Sequence, residues 1–339
     1  MTAIWLGSRR NCRTAANFFV GFCGIVPTFV PAMAIMIKRL VFLISAVVLP
    51  VCICFAHSGP ELREERAMHA LVVGIGHYPE SSGWNPVNGD RDVDLAVRML
   101  VRNGFSQEDI TVLVNGQATK AAIRDAFRGL LAVVAPGDVV YVHFSGHGQQ
   151  VVDTDGDEED GLDEAFVPID AGRKYVKGVY EGENHILDDE LNLWLAELKG
   201  AVGRAGRVMF VMDACHSGDS TRGEKEDEDA WPVRGTADIF GADAGDNPGM
   251  PVASEEERND VDWIFLGACK SWQNNYEYPS EDGFYGRLTW ALYSCMRPGM
   301  SFEELVDLLE KVYDGMPLPP GPPQNLDAFE PPANNGKLF

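Results

Sequence analysis

Asp138-Val-Val-Tyr-Val-His-Phe-Ser-Gly-His-Gly-Gln149 is the stretch on which the fold turns. Its first seven residues are nearly all apolar and rich in β-branched side chains, as in a strand buried on both faces of a parallel sheet. The strand runs directly into Ser145-Gly146-His147-Gly148-Gln149. A histidine between two glycines gains little support from packing, so its place just past a strand points to chemistry rather than to core filling. A second run of the same kind, Gly206-Arg-Val-Met-Phe-Val-Met212, leads into Asp213-Ala-Cys-His-Ser-Gly218.

Working outward, His69–Gly76, Ile110–Val114 and Asp262–Ala268 read as further strands. Between and after them lie helical patterns. Asp92 to Asn103 sets Val93, Ala96, Val97 and Leu100 on one face, and Lys120 to Val133 and Asp188 to Leu198 follow. Two more helices are expected at 287–297 and 302–313, the last opened by the capping box Ser301-x-x-Glu304. Strands alternating with helices give an α/β fold, a mostly parallel central sheet flanked by helices on both faces.

In such sheets, reactive groups gather at the carboxyl ends of the strands. Neighbouring parallel strands lie about 5 Å apart, so His147 and Cys215 can meet at one edge. A thiol with a free pKa of about 8.5 is mostly protonated at neutral pH, and a nearby imidazole activates it. His147 is therefore read as general base and Cys215 as nucleophile. Backbone N–H groups of Gly148 and Cys215 are the candidate oxyanion donors, the glycine allowing close approach. His216 adjoins Cys215 and is expected to point away from it.

The ordered set Ser145-Gly-His-Gly-Gln149, Gly156-Asp-Glu-Glu-Asp-Gly161 with Asp163-Glu164, Asp188-Asp-Glu-Leu-Asn192 and Asp213-Ala-Cys-His-Ser-Gly218 resembles the metacaspases. These are caspase-like cysteine peptidases of the caspase–haemoglobinase fold. The resemblance runs from about His69 to Tyr313 and includes Ala268-Cys-Lys270, Gln273, Glu277 and Gly286-Arg-Leu-Thr289. It implies a His147–Cys215 dyad that cleaves after Arg or Lys, with acidic residues in the pocket for the P1 side chain. Asp213 matches one of these, and Asp92 or Asp94 the other. Two carboxylates there would hold a guanidinium by charge-assisted hydrogen bonds. The resemblance also implies calcium, with Asp188 and Asp189 as ligands and a third from Asp160 or Asp163. Arg222 stands where the family has a further aspartate, and Asp219 is a substitute. Asp153-x-Asp155-x-Asp157 is not an EF-hand loop, because Glu158 occupies the position that needs glycine. No organic cofactor is expected. The rival reading is a non-catalytic calcium-binding or scaffold protein on the same fold.

Lys and Arg number 28 against 51 Asp and Glu, a formal charge of −23. Residues 1–60 hold five basic residues and no acidic one, so the remainder carries about −28. Such a body repels nucleic acid and anionic membranes and suits basic protein or peptide substrates. Met36-Ile-Lys-Arg39, the apolar run Leu40–Phe55 and Cys54-Phe-Ala56 read as an export signal, with Met36 as an alternative start. Residues 1–56 are thus a leader, the expected location is periplasmic or extracellular, and an uncleaved leader would be the only membrane attachment. Residues 67–316 form the peptidase domain, expected to be monomeric. Residues 219–260 are an acidic surface loop and 317–339 a Pro-rich tail, extended or disordered. Outside the leader, Cys215, Cys269 and Cys295 form no disulfide framework. Arg222, Lys225, Arg234 and Arg258 in the loop, with Lys174 and Lys177, offer accessible sites for self-cleavage of a zymogen.

Overall fold

The computed structural model describes residues 66–156, 158, 161–215, 231–242, 261–332, 336 and 338–339. The chain divides into Met1–Arg63 and Glu64–Phe339, and all described residues belong to the second unit. The leader lies outside them. No helix among the described residues is long and apolar enough to cross a membrane.

The strands are β1 Met68–Gly74, β2 Ile110–Val114, β3 Val139–Ser145, β4 Gly148–Val152, β5 Leu162–Phe166, β6 Ile186–Leu187, β7 Arg207–Asp213, β8 Ile264–Gly267, β9 Tyr278–Ser280, β10 Gly283–Tyr285 and β11 Asp327–Phe329. The helices are α1 Gly89–Arg102, α2 Lys120–Val133, α3 Asp188–Val202, α4 Arg287–Cys295 and α5 Phe302–Gly315. Local chemistry sets several of the helix starts. Thr119 Oγ accepts from Ala122 N at 3.1 Å to open α2. Ser301 and Glu304 close the expected capping box on α5, at 2.8 and 3.1 Å. Asp188, Asp189 and Glu190 complement the dipole of the first turn of α3.

The main sheet has the order β11-β8-β7-β3-β1-β2, parallel throughout except for β11. Alternation along the strands sends side chains to two separate cores. Ala70, Val72, Val139, Tyr141, Met209 and Val211 pack with α1, α4 and α5 on one face. Leu71, Val73, Val140, Val142, Val208 and Phe210 pack with α2 and α3 on the other. The expected three-layer α/β arrangement is therefore present.

Two expectations are corrected. The Pro-rich tail is not a loose end. β11 extends the sheet antiparallel to β8, Gln324 donates to Ala268 O, and Phe339 packs edge-on to Phe105 with ring centroids 5.2 Å apart. The acidic loop is also not surface throughout, because residues 231–242 are docked against the body. Its other parts, with Arg222, Lys225 and Arg258, lie outside the described residues, as do His216, Asp219 and Asp160.

Candidate active site

β3 and β7 are neighbours whose last residues, Ser145 and Asp213, are register partners. His147 and Cys215 each stand two residues beyond, so both reach the same sheet edge. Along this edge β1 and β2 lie to one side of β3, and β7 and β8 to the other. Gly148 is packed so closely that a Cβ there would stand 2.6 Å from Cys215 O. Only glycine permits that approach, and it sets the two backbone N–H groups side by side.

His147 is 2 % exposed and stacked on Trp84 with centroids 4.8 Å apart. Its backbone N–H donates to Tyr78 Oη at 3.1 Å. Its Nε2 lies 2.8 Å from Asn85 O. A carbonyl can only accept, so Nε2 carries the proton and Nδ1 keeps its lone pair. Nδ1 is buried without a hydrogen-bond partner, the form a proton acceptor needs. Burial pushes the His147 pKa down to about 4, partly opposed by the bond to Asn85, so the ring is neutral at ordinary pH. Cys215 is fully buried, and its thiol donates to Gln273 O at 2.7 Å. Cys269 also donates to that oxygen, at 3.4 Å. Its hydrogen bond with Cys215, together with burial, pushes its pKa well up, so Cys269 stays a thiol. Cys295 is partly buried and packs against the core of the α1, α4 and α5 face.

Beside the dyad is a buried pocket lined by Asp92, Asp213 and Glu277, all fully enclosed. Asp92, rather than Asp94, lines it. Asp94 is exposed and pairs with Arg98 on the same helix. Asp92 Oδ1 accepts from Gly286 N at 2.8 Å, and its Oδ2 accepts from Ser145 Oγ. Asp213 accepts from Asn275 Nδ2 at 2.9 Å and from Thr289 N and Oγ1 at 2.8 and 2.7 Å. Glu277 accepts from Asn88 N at 2.6 Å. Gly286 has to be glycine, since a Cβ would collide with Asp92, Asp213 and the cation between them. That cation is Arg234. Its guanidinium lies 2.6 Å from Asp92, 3.0 Å from Glu277 and 3.5 Å from Asp213. Burial alone would lower the Arg234 pKa, but the three carboxylates outweigh it and raise it. Burial, with the repulsion of Asp213, lifts Asp92 to about 6 despite Arg234.

The same arginine reaches the dyad through its backbone. Cys215 N–H donates to Arg234 O at 2.8 Å and Gly148 N–H donates to it at 3.4 Å. These are the two N–H groups expected to hold an oxyanion, here holding a carbonyl next to the thiol.

A family model for the caspase domain matches residues 67–322. This chain belongs to the caspase-domain family. Among curated relatives of this caspase-domain chain is Metacaspase-1B of Aspergillus fumigatus, 26% identical over 285 residues, covering 73% of this chain and 66% of the relative. Metacaspase-1A of Neurospora crassa is 33% identical over 158 residues, covering 44% of this chain and 31% of the relative. The chain thus spans from about a third to just under two thirds of those relatives' length. A solved protein from Geobacter sulfurreducens aligns with TM-score 0.51 and 20% identity over 78% of this chain and 94% of that one, a likeness of fold. The caspase-domain family is one of cysteine-type peptidases, and metacaspases are its members most evident among these relatives.

The acidic cluster expected to bind calcium is separate. Asp163 is raised to about 7, first by burial and then by Asp188, Asp153, Asp189 and Asp155. Asp188 Oδ1 accepts from Glu164 N at 3.2 Å. Among the described residues, no three such side chains already converge closely enough to hold a metal. The donors are hard oxygens whose mutual repulsion a divalent cation would relieve, so their chemistry fits calcium.

Residue-by-residue reading missed Tyr78, Trp84 and Asn85, which orient His147, and Ser145 and Asn275, which line the pocket. Ser145 adjoins the Gly-His-Gly motif and was within reach. Glu277 is marked in the sequence only as part of the segment that carries the resemblance.

Proposed function

We propose that the chain is a cysteine endopeptidase cleaving after Arg or Lys through a Cys215–His147 dyad. The observation that carries this reading is Arg234. Its side chain is held by Asp92, Asp213 and Glu277 while its carbonyl meets the N–H groups of Cys215 and Gly148. An arginine seated in this way has the position required of a P1 residue.

Redirected from Gln273 O to His147 Nδ1, the thiol proton leaves a thiolate that attacks the carbonyl carbon. The oxygen takes negative charge where two N–H donors already point, so little reorganisation is needed. The imidazolium returns the proton to the departing amine, leaving a thioester on Cys215. Water, deprotonated by the same imidazole, then hydrolyses it. Asn85 keeps the ring in the tautomer that both transfers require, and Trp84 fixes its plane.

Calcium binding at Asp163, Asp188 and Asp189 is proposed as the activating event. Bound there, calcium would neutralise the carboxylates and tie β5 to the start of α3. Self-processing belongs to the same reading, as do a monomeric state and export by the N-terminal segment.

The reading is tested by hydrolysis of peptide reporters carrying Arg, Lys or Asp at P1, with and without calcium. Wild type should prefer Arg and Lys, and Cys215→Ala should be inactive. Equal activity in the variant would remove the mechanism. A preference for Asp would remove the pocket assignment.

A further inference from the structure

The segment that carries Arg234 is held on both sides of that residue. On its N-terminal side, Arg234 N–H donates to Asn275 O and Glu277 N–H donates to Pro232 O, both at 3.0 Å. Val233 and Tyr276 form an antiparallel bridge between these bonds. Pro232-Val-Arg234 therefore lies as an added strand along 275–277, a common way for an extended peptide to be held. On its C-terminal side, Arg173 reaches Thr236 Oγ1 at 3.0 Å and Asp238 at 2.9 Å. Gln149 Nε2 donates to Asp238 O at 2.9 Å. Phe240 exchanges backbone bonds with Gln150 and Val152 at 2.8 and 2.9 Å, and its ring packs against His185 with centroids 4.6 Å apart. The link between these two anchored stretches is the peptide bond Arg234–Gly235, whose carbonyl oxygen sits on the Cys215 and Gly148 N–H groups.

We propose that Arg234–Gly235 is a bond this enzyme cuts in its own chain, in cis, and that Pro-Val-Arg is the template for its preference at the residues before the scissile bond. The proposal rests on the endopeptidase reading above. Cys215 Sγ forms a bond to the Arg234 carbonyl carbon, and the bond from that carbon to Gly235 N breaks. The new amine of Gly235 takes the proton that His147 removed from the thiol. One water then cleaves the thioester, placing hydroxyl on Arg234 and hydrogen back on Cys215. No oxidant or cofactor is consumed.

Two consequences follow from the anchoring. Cleavage in cis depends on no encounter between molecules, so it is first order. Both new ends keep their contacts, so the products remain one particle, and the Arg234 carboxylate stays in the pocket as a tethered product.

The test follows the full-length protein over time with calcium, by intact mass and N-terminal sequencing of its fragments. An Arg reporter is run in parallel. Expected is a fragment beginning Gly235-Thr-Ala, formed at a rate constant unchanged across a 100-fold dilution. The fragments should separate in denaturant and co-elute without it. Cys215→Ala and Arg234→Gln should remain uncut at this bond. If burying three unpaired carboxylates unfolds Arg234→Gln, Gly235→Pro leaves the ion cluster whole and should also stay uncut. Wild type that hydrolyses the reporter but keeps 234–235 intact overturns this proposal and leaves the peptidase reading standing. A rate that rises with protein concentration overturns cleavage in cis. Failure to cut either the bond or the reporter overturns the peptidase reading and this proposal with it.

Discussion

Replacing Asp92 by Asn tests the pocket where its energy is concentrated. Asp92 Oδ2 lies 2.6 Å from the Arg234 guanidinium, and both side chains are fully enclosed. Two charges at that separation attract by about 6 kcal/mol at an effective dielectric of about 20. Much of this is offset by stripping water from both, and truncating one partner of such a buried pair costs about 3 kcal/mol net. Asn keeps a carbonyl acceptor for Gly286 N–H and turns an amide N–H toward Ser145 Oγ, which can accept it, so the pocket wall should survive. With a P1 arginine, kcat/KM at pH 7.5 should therefore fall roughly 150-fold. A reporter with neutral, isosteric citrulline at P1 should change by less than about fivefold, since no ion pair is lost. In wild type, Asp92 gains its proton as pH falls through about 6, so the preference for arginine over citrulline should narrow there. The assay is steady-state hydrolysis of both reporters, each competing with the tethered Arg234 for the pocket and compared as a ratio within one enzyme. An unchanged arginine-to-citrulline ratio in Asp92→Asn would refute the reasoning.

Three further outcomes are expected. Burial lowers His143, His147 and His185 to about 4, so the unfolded chain binds more protons than the folded one between pH 6.5 and 4. Stability is present above about 6.5 and is lost on acidification; Asp92, raised to about 6, and Asp163, raised to about 7, oppose this without cancelling three histidines. Tm of Cys215→Ala should thus be clearly lower at pH 5 than at pH 7, and an equal or higher value contradicts the assignment. Trp84→Ala removes the ring stacked on His147 and should lower kcat by roughly 10- to 100-fold with KM nearly unchanged, as steady-state kinetics will report. Calcium should raise the Tm of Cys215→Ala, and Asp188→Asn should weaken that response about tenfold or more in a calcium titration; an equal response in both removes the cation site from this cluster.

The catalytic edge was legible because it is written in local pattern. β3 and β7 are uninterrupted apolar runs, and each ends in a short polar motif at a sheet edge. Helix chemistry was equally local, as the Ser301–Glu304 box shows. What escaped depends on partners distant in sequence. β11 sits in a Pro-rich stretch, and only the edge of β8 gives it a place. β4, β5 and β6 form a second small sheet, yet Gln149 and Gln150 break the apolar alternation that marks a strand. Arg234 belongs to a loop whose composition indicates solvent exposure, while its partners Asp92 and Glu277 lie far away along the chain. No window of sequence contains both the cation and its cage.

The central claim is that Cys215 attacks a carbonyl whose side chain occupies the acidic pocket. A peptidyl chloromethyl ketone with arginine at P1 reports on both parts at once, because it must enter the pocket to alkylate the thiol. Peptide mapping by mass spectrometry after brief exposure should find the label on Cys215 and not on Cys269 or Cys295, with His147→Ala reacting far more slowly. The same reagent with aspartate at P1 should leave the protein unmodified. Label on another cysteine, or equal labelling by the aspartate reagent, would contradict the account.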